Sequence, residues 1–477
     1  MNNLLIKKYQ AIINNSEVET EASIDLISPW DLKIFANIGI INQEMIANLV
    51  DIATSTQKKW KKYSLLQRIE KLKTWIKLIK RDKEEIAHLI SISVAKNYDD
   101  SLIEVNRTIA YCYETFASAK RLLLKTYDCC NWEDSNKIAI YKYEPKGVVL
   151  AISPFNYPLN LALNKIIPSL VMGNTVLWKP ASQGLLIGWK IAQLAAEAKL
   201  KKGIFNVVFS KGSEIKNFLI AHPNIDLILF TGSIAIGNKI KKLSYSKDFV
   251  LEMGGKDFAI VLNDNNIAKT AQEIIQGAFS YSGQRCTAIK GVIVYDYIAD
   301  PLILNLEQEL KTIRIKNKDF FTPLININAV NFAKKLIKDA LDKKAKLIIG
   351  NKSHKNFLEP TILDQVNANM MITSYEQFAP VLPILRVQNH EEIIKIVNNL
   401  KFGLQCAIFS ANNNEAWNLG AKLDVARVNI NCRPKRGPDI LPFTGFKSSG
   451  FNYQGLEETL KAVTKLKGYN INLNNNI

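Results

Sequence analysis

Apolar residues recur every three or four positions in the first part of the chain, from about Asn42 to Leu124. This spacing gives a helix one continuous apolar face, so the segment is predicted to form three long amphipathic helices. Ser64, with Gln67 three positions later, predicts a capping box at the start of the second helix, because each side chain can bond a free backbone N–H group of the other residue.

The hydrophobic pattern changes after residue 125. Residues 137–144 alternate between apolar and polar, which is typical of a strand with one exposed face. Further along, short apolar runs alternate with stretches of helical periodicity such as 185–200, and this alternation predicts a parallel, doubly wound sheet. The predicted strands are residues 147–153, 175–178, 205–209, 226–230 and 258–262.

A second series of strands and helices is predicted from about residue 290 to residue 431. Because a chain of 477 residues is too long for one small core, the two series together indicate two α/β lobes. Residues 433–455 are rich in proline, glycine and arginine and are predicted to form a long ordered loop. Residues 462–473 are predicted to form another strand.

The composition is that of a globular protein, with 47% hydrophobic and 22% charged residues, and it argues against a disordered or fibrous chain. The longest apolar tract, residues 147–178, is interrupted by prolines, asparagines and a lysine, so it cannot span a bilayer. The first ten residues lack the apolar core of a secretory signal. We therefore expect a cytoplasmic protein with no membrane partner.

The six cysteines and four histidines are scattered and form no Cys-x-x-Cys pair. This distribution predicts no metal site and no disulfide framework. The formal net charge of +18 could reflect nucleic-acid binding, because a basic surface attracts phosphate backbones. The lysines are instead dispersed along amphipathic helices such as residues 71–77. We therefore interpret them as solvated faces and expect no nucleic-acid partner.

The segment Gly-Gln-Arg-Cys-Thr at 283–287 contains the first candidate catalytic residue, Cys286. A positive charge favours the thiolate form of a neighbouring cysteine, so Arg285 predicts a low-pKa thiol at Cys286. The alternative is that Cys286 is a small buried apolar residue. A Cys–His pair would be the usual means of activation, but His222 and His354, the nearest histidines in sequence, lie in no recognisable motif.

Two further polar residues could serve the same chemistry. Glu252 lies at a predicted strand end before two glycines, and partial burial there would raise its pKa and suit it to general-base work. Asn156, between two prolines, could donate a hydrogen bond to a developing oxyanion. Taken alone, Glu252 could equally be a surface residue before a turn, and Asn156 a turn former.

Two segments could bind a phosphorylated cofactor. Lys179 and Ser182 follow a predicted strand at its carboxyl end, where α/β sheets bind ligands. Gly232, Ser233 and Gly237 lie where a strand turns sharply into a helix, which aims backbone N–H groups at a phosphate. The second segment lacks the Gly-x-Gly-x-x-Gly spacing, so by itself it is a weak dinucleotide signal.

Taken together, these motifs resemble those of the aldehyde dehydrogenase superfamily. The order of the motifs matches the family from about residue 58 to residue 455, and so does the spacing between Glu252 and Cys286. The matching segments are Pro-Phe-Asn-Tyr-Pro at 154–158, Lys-Pro-Ala-Ser at 179–182, Phe-Thr-Gly-Ser at 230–233, Glu-Met-Gly-Gly-Lys at 252–256, Gly-Gln-Arg-Cys at 283–286, Leu-Glu-Pro-Thr at 358–361, Glu-Gln-Phe-Ala-Pro at 376–380 and Pro-Phe-Thr-Gly-Phe-Lys-Ser-Ser-Gly at 442–450.

The resemblance implies roles for three catalytic residues. Cys286 would attack the aldehyde carbon, and the oxyanion would be held by the Asn156 amide and the backbone N–H of Cys286. Hydride transfer to a nicotinamide would leave a thioester, and Glu252 would activate the water that hydrolyses it. Such oxyanion donors contribute roughly 3 kcal/mol.

The resemblance also implies a cofactor site. Lys179 and Glu376 would contact the two riboses, Ser233 the pyrophosphate, and Phe378 the nicotinamide ribose. Ser182 in place of a glutamate would accept the 2′-phosphate of NADP, and Lys211 could add a positive contact, although it could equally be a solvated surface lysine. The expected cofactor is NADP, held by Lys179, Ser182, Lys211, Gly232, Ser233, Gly237, Glu376 and Phe378. Ala379 departs from the glycine usual in the family.

For the substrate, the chain looks like the branch of NADP-dependent, non-phosphorylating glyceraldehyde-3-phosphate dehydrogenases. Guanidinium groups bind phosphate bidentately, and several converging on one pocket indicate an anionic substrate. The residues that would surround the substrate are Arg107, Tyr157, Arg285, Thr287 and Arg436. The expected reaction is the oxidation of D-glyceraldehyde 3-phosphate to 3-phosphoglycerate, a step of glycolysis, without inorganic phosphate.

The resemblance further implies a Rossmann-type cofactor domain (1–126 and 144–254), an α/β catalytic domain (255–461) and a small β oligomerisation element (127–143 and 462–477). Family members assemble in this way as homodimers or homotetramers. Three alternatives stay open: a semialdehyde dehydrogenase acting on a substrate such as succinic semialdehyde, a nucleic-acid-binding protein with an inactive dehydrogenase fold, and a histidine-assisted phosphorylating enzyme. No Cys–His motif supports the last.

Overall fold

The computed structural model describes residues 7–122, 124–128, 137–212, 218–244, 247–263, 266–316 and 320–472. Two large sheets organise this part of the chain, each covered by helices. The mixed α/β class expected from the sequence is confirmed. Among the described helices, none combines the length and apolar character that crossing a bilayer would require.

The first large sheet has six strands, of which five run parallel and the sixth is antiparallel. The central strands are buried on both faces, which explains why they read as continuous apolar runs. In spatial order the strands are Phe205–Val207, Thr175–Lys179, Val148–Ile152, Leu227–Thr231, Asp248–Glu252 and Gly450–Phe451. The predicted strands of this region are confirmed to within two residues, and Glu252 ends a strand as expected.

The second large sheet has seven strands, with one antiparallel strand at its edge. It is built from the predicted second series of strands together with Asp257–Val261, which the sequence had placed in the first series. In spatial order the strands are Lys346–Ile349, Thr361–Asp364, Val381–Val387, Ile289–Tyr295, Asp257–Val261, Gln405–Phe409 and Arg427–Ile430. Two short strand pairs lie outside the large sheets, the hairpin of Ser353–His354 with Phe357–Leu358 and the long-range pair of Phe402–Gly403 with Phe446–Lys447.

The N-terminal helical region contains four helices, so the prediction of three was wrong. Asp82 ends the second helix and begins the third without a glycine or proline to mark the break, which is why the periodicity concealed it. The four helices are Gln43–Trp60, Leu65–Arg81, Lys83–Val94 and Tyr98–Arg121. The capping box of Ser64 and Gln67 is confirmed, with both reciprocal hydrogen bonds present.

The remaining helices cover the two large sheets, including the predicted helical stretch after residue 185. They are Asn160–Val171, Leu185–Glu197, Phe218–Ala221, Ile234–Leu243, Ile267–Phe279, Asp296–Lys316, Ile327–Asp342, Met371–Ser374, His390–Asn398, Asn413–Gly420 and Leu456–Ala462, with 3-10 turns at Ser182–Gly184 and Ser280–Gly283.

No pattern in the sequence indicated the strands that precede the first helix. They form a three-stranded sheet of Lys7–Tyr9, Ile34–Ile40 and Ala22–Ile27 and a hairpin of Ala11–Ile13 with Ser16–Val18. Most are short and unevenly exposed, so they carry little periodicity.

The chain's last strand was predicted correctly. Thr464–Asn472 pairs antiparallel with Lys137–Pro145, which pairs in turn with Leu124–Asp128. Part of the predicted oligomerisation hairpin, residues 129–136, lies outside the described residues. The predicted loop 433–455 contains two short strands. Phe446–Lys447 pairs with Phe402–Gly403, and Gly450–Phe451 pairs with the strand that carries Glu252.

Candidate active site

Four segments that lie far apart in the sequence meet around one cavity of about 430 Å³. Asn156 follows the central strand Val148–Ile152, and Cys286 follows the 3-10 turn Ser280–Gly283. Both line the cavity, as do the predicted cofactor residues Gly232, Ser233, Glu376 and Phe378. The structure therefore brings together a nucleophile, an amide donor and a groove that begins at a helix N-terminus.

The loop before Cys286 has an unusual backbone. Tyr281 and Ser282 adopt left-handed conformations, with φ of 52° and 49°, which cost energy in residues other than glycine. Gly283 has φ of 71°, and a Cβ there would lie 2.7 Å from the carbonyl oxygen of Ala379. Glycine is therefore required at position 283, where the nucleophile loop contacts the Glu376–Pro380 segment.

Asn156 is fixed directly to the nucleophile loop. Its amide nitrogen donates a hydrogen bond of 2.8 Å to the carbonyl oxygen of Gln284. A side-chain amide has two N–H groups, so this bond orients the amide and leaves its second N–H for another acceptor. Asn156 and Cys286 both line the cavity, which is the arrangement that an oxyanion donor needs.

The expectation of a low-pKa thiol at Cys286 was wrong. The residue is partly exposed to solvent, yet burial of its thiol among protein atoms raises the pKa to about 11. The charges of Lys290 and Arg436 act in the opposite direction, and Glu252 and Asp257 add to the rise. Desolvation outweighs the neighbouring cations, and a sequence motif does not reveal desolvation.

Arg285, which was expected to favour the thiolate, is occupied elsewhere. Its guanidinium donates hydrogen bonds to the backbone carbonyls of Gly277 at 2.5 Å and Ser280 at 3.3 Å, at the end of the helix Ile267–Phe279. Burial lowers its pKa. Arg285 therefore caps the end of a helix in this arrangement.

Glu252 is buried and bound by three side chains. Its carboxylate lies 2.6 Å from Nη1 of Arg436 and 3.4 Å from Nζ of Lys165, and it accepts a hydrogen bond of 2.5 Å from the Thr231 hydroxyl. Burial alone would raise the pKa of Glu252, as the sequence suggested. The charges of Arg436 and Lys165 outweigh burial and hold the pKa below its ordinary value, so that expectation was wrong.

Lys165 was missed in the sequence. It is fully buried on the helix Asn160–Val171, and burial lowers its pKa to about 8 against the opposing charge of Glu252. The signal was present, because Lys165 is the one charged residue in an apolar helix, and a buried charge needs a partner.

The predicted substrate arginines Arg107 and Arg436 lie together, but both are already paired. Arg107 forms an ion pair of 2.6 Å with Asp439 and donates 2.9 Å to the backbone carbonyl of Arg436. Arg436 also donates 3.1 Å to the side chain of Gln454. The two arginines therefore form one network with the segment 436–454, and they are not the free clamp that the sequence suggested.

The other two predicted substrate residues border the nucleophile loop. The ring of Tyr157 packs edge-on against Tyr281, with ring centroids 6.5 Å apart. The ammonium of Lys96 lies 3.6 Å from the centroid of the Tyr157 ring. Thr287 is buried.

Several features of the cavity fit a dinucleotide. The helix Ile234–Leu243 begins at Ser233, whose hydroxyl accepts a hydrogen bond from the backbone N–H of Ile236, and a helix N-terminus favours a phosphate. Glu376 accepts a hydrogen bond of 3.2 Å from the backbone N–H of Gly255. A side chain at Gly254 would collide with the Glu376 carboxylate, so this glycine lets the carboxylate line the groove.

The other predicted cofactor residues lie around this groove. Lys179 is buried at a strand end, and its ammonium donates to the carbonyl oxygen of Pro180. Gly237 packs closely against Met253. Ser182 lines a different cavity, and Lys211 is exposed. Thus only part of the predicted set shares one cavity.

The departure at Ala379 does not require backbone strain. The left-handed residue in this segment is Phe378, with φ of 46°, and Ala379 is buried with an ordinary backbone. Within the described residues, His, Cys, Asp and Glu form no group of three or more that could hold a metal ion.

The chain belongs to the aldehyde dehydrogenase family, whose model matches residues 16–469. It is thus an oxidoreductase with the fold that the motifs implied.

Several similar proteins are named NADP-dependent glyceraldehyde-3-phosphate dehydrogenase. The chain is 36% identical, over 97% of its length and 98% of the relative's, to an NADP-dependent glyceraldehyde-3-phosphate dehydrogenase of Streptococcus equinus. It is similar to a crystal structure of the enzyme of that name from Bacillus halodurans C-125 complexed with NADP, with a TM-score of 0.94, 40% identity and coverage of 98% and 99% of the two chains. A lactaldehyde dehydrogenase of Methanocaldococcus jannaschii is 31% identical, over 93% of this chain and 96% of the relative.

Proposed function

We propose that this protein oxidises D-glyceraldehyde 3-phosphate to 3-phosphoglycerate with NADP, through a thioester hydrolysed by water and without inorganic phosphate. The observation that carries the proposal is the ion pair between Arg436 and Glu252 beside Cys286. It places a group that binds anions next to the residue assigned to hydrolysis. Support also comes from relatives of that name with nearly full coverage.

The chemistry begins when the Cys286 thiol, which is partly exposed, gives its proton to solvent water. The sulfur then forms a bond to the aldehyde carbon, and the carbonyl oxygen becomes an oxyanion that accepts hydrogen bonds from the Asn156 amide and the backbone N–H of Cys286. Asn156 is suited to this because its bond to Gln284 fixes the amide. Loss of hydride from the carbon leaves a thioester on Cys286, and a bound nicotinamide supplies the hydride acceptor that this oxidation needs.

Glu252 then takes a proton from the water that attacks the thioester. The carbon–sulfur bond breaks, the thiolate leaves, and the acid is formed. The ion pair between Arg436 and Glu252 must weaken for this step, because an ion-paired carboxylate is a weak base. A substrate phosphate gives Arg436 a second acceptor, so an anionic substrate would help to release the base. Arg107 and Tyr157 would contribute to the same phosphate site, and the parts of Arg285 and Thr287 in it stay predictions.

For the cofactor, we propose that Ser233 and the helix that it begins hold the pyrophosphate, with Gly232 and Gly237 allowing close approach. Glu376 and Phe378 would hold the nicotinamide ribose, and Lys179 the other ribose. Ser182 and Lys211 would favour the 2′-phosphate of NADP over NAD.

We also propose the domain division 1–126 with 144–254, 255–461, and 127–143 with 462–477, and assembly as a homodimer or homotetramer. Exposed apolar side chains on one face of the strand Thr464–Asn472, Tyr469 and Ile471, support assembly through this element. A cytoplasmic location stays a prediction.

A second candidate is a dehydrogenase of a semialdehyde such as succinic semialdehyde. A terminal carboxylate could use Arg436 as a phosphate would, so the same ion pair favours both.

The deciding experiment measures NADPH formation by the purified protein with glyceraldehyde 3-phosphate, in buffer without inorganic phosphate. Succinic semialdehyde and lactaldehyde are tested as alternative substrates, and NAD is tested as the alternative cofactor. The Cys286→Ala variant serves as the blank. We expect the highest kcat/KM for the phosphorylated aldehyde with NADP. A higher value for succinic semialdehyde would replace the proposal with the second candidate, and a requirement for phosphate would reject both.

A further inference from the structure

Lys290 is a buried lysine that neither the sequence motifs nor the proposed chemistry uses. It lies on the strand Ile289–Tyr295, and its side chain is 2% exposed. Its ammonium donates a hydrogen bond of 2.5 Å to the backbone carbonyl of Cys286 and forms an ion pair of 3.1 Å with Glu376. Lys290 thus joins the nucleophile loop to a carboxylate of the cofactor groove.

The position of Lys290 is fixed by its own surroundings. Gln377 donates a hydrogen bond of 2.9 Å to the Lys290 backbone carbonyl, and the central strand of the seven-stranded sheet holds the main chain. An ammonium removed from water is costly unless its hydrogen bonds are satisfied. The backbone carbonyl of Cys286 and the carboxylate of Glu376 therefore stabilise the buried ammonium of Lys290.

The charges around the Cys286 thiol come from several elements. Lys290 and Arg436 are the leading cations that favour the thiolate, Lys165 and Arg285 also interact electrostatically with Cys286, and Glu252 and Asp257 disfavour the thiolate. Lys290 is itself faced by Glu376, Asp257 and Lys256. Arg436 and Lys165 are bound to Glu252, and Arg285 is bound to helix carbonyls, whereas Lys290 is bound to the backbone of the nucleophile residue itself.

We propose that Lys290 is a positioning residue that anchors the backbone of Cys286 and supplies a fixed positive charge favouring its thiolate. The sequence had assigned that charge to Arg285, whose guanidinium instead faces helix carbonyls. The proposal rests on Cys286 being the nucleophile of the proposed function.

The test measures thiolate formation directly, without turnover. The full-length protein is treated with iodoacetamide at several pH values between 7 and 10, and the alkylation rate of the peptide containing Cys286 is followed by mass spectrometry. Only the thiolate reacts, so below the thiol pKa the rate is proportional to the thiolate fraction. The variants are Lys290→Met, which keeps most of the side-chain volume, Lys290→Arg, which keeps the charge, and Lys256→Met, a matched buried lysine that bonds Gln377.

We expect Cys286 to be alkylated about tenfold more slowly in Lys290→Met than in the parent at each pH. This corresponds to a rise of about one unit in the pKa of the Cys286 thiol. Lys290→Arg should recover most of the rate, and Lys256→Met should change it less than threefold. Equal rates in the parent and Lys290→Met, or equal losses in Lys290→Met and Lys290→Arg, would overturn the proposal.

If Lys290→Met fails to fold, the double variant Lys290→Met with Glu376→Gln removes both partners of the ion pair, and the thiolate absorbance of the folded protein is compared with that of Glu376→Gln alone. Less thiolate in the double variant supports the proposal, and equal amounts reject it. Failure of the proposed function would show itself separately, as aldehyde oxidation that survives Cys286→Ala.

Discussion

The guanidinium of Arg436 lies 2.6 Å from the carboxylate of Glu252, although 184 positions separate the two residues in the chain. Gln454 accepts the second hydrogen bond of the same guanidinium, and the carbonyl of Arg436 is held by Arg107. The substrate anion and the carboxylate that would activate water therefore compete for the guanidinium of Arg436. Replacing Arg436 should therefore alter more than substrate binding, and replacing Glu252 should alter more than hydrolysis.

Replacing Glu252 with glutamine should separate the two halves of the reaction. The amide can still accept a hydrogen bond from Arg436, but it cannot take a proton from water. We expect the first turnover to release NADPH in a burst close to one equivalent per site, and steady-state kcat to fall about 100-fold or more. Rapid-mixing measurement of NADPH checks this. Loss of the burst together with kcat would assign Glu252 to acylation instead.

Replacing Arg436 with alanine should affect phosphorylated substrate selectively. We expect KM for glyceraldehyde 3-phosphate to rise about tenfold or more, with a smaller change for unphosphorylated glyceraldehyde. Loss of the cation should also raise the pKa of Glu252, so the acidic limb of the kcat profile should move to higher pH. Steady-state kinetics over a pH series checks both effects, and Lys435→Ala is a neighbouring control. Identical losses with the two aldehydes would argue against a phosphate contact at Arg436.

Asp257 should make stability depend on pH near neutrality. Burial raises its pKa to about 7, and its Oδ2 has no hydrogen-bond partner among the described residues. Because the folded-state pKa lies above the unfolded value, the native state binds the extra proton. The resulting stabilisation is complete below the unfolded pKa and is lost as pH rises through about 7.

Asp257→Asn removes this titration and keeps an oxygen for the Gln405 N–H. We expect its melting temperature to exceed that of the parent increasingly from pH 5 to pH 8, as measured by thermal unfolding. A difference between the two proteins that is independent of pH would show that Asp257 does not titrate in this range.

The strand Thr464–Asn472 should carry the assembly interface. Tyr469 and Ile471 are exposed apolar residues on the same face of the strand. Changing both to aspartate should place charges in that interface and lower the mass measured by light scattering to that of a smaller species. Asn470→Asp, which adds one charge on the opposite face, should leave the mass unchanged. Unaltered mass in the double variant would place the contact elsewhere.

Much of the fold could be predicted because local patterns encode it. The central strands of the first large sheet, among them Val148–Ile152 and Leu227–Thr231, are buried on both faces and therefore appear as continuous apolar runs. The capping box at Ser64 depends on residues three positions apart. The break at Asp82 escaped prediction because the apolar periodicity continues across it.

The sequence by itself determined which side chains could do the chemistry, since the motifs around Asn156, Glu252 and Cys286 depend on residue type and order. Only the tertiary structure decided the direction in which the pKa values of Glu252 and Cys286 shift. For Glu252, burial acts to raise the pKa, but the charges of Arg436 and Lys165, which are remote in sequence, outweigh it and lower the pKa, while burial raises the pKa of Cys286. Such shifts depend on solvent exclusion and on distances between remote segments, and local sequence patterns do not specify either quantity.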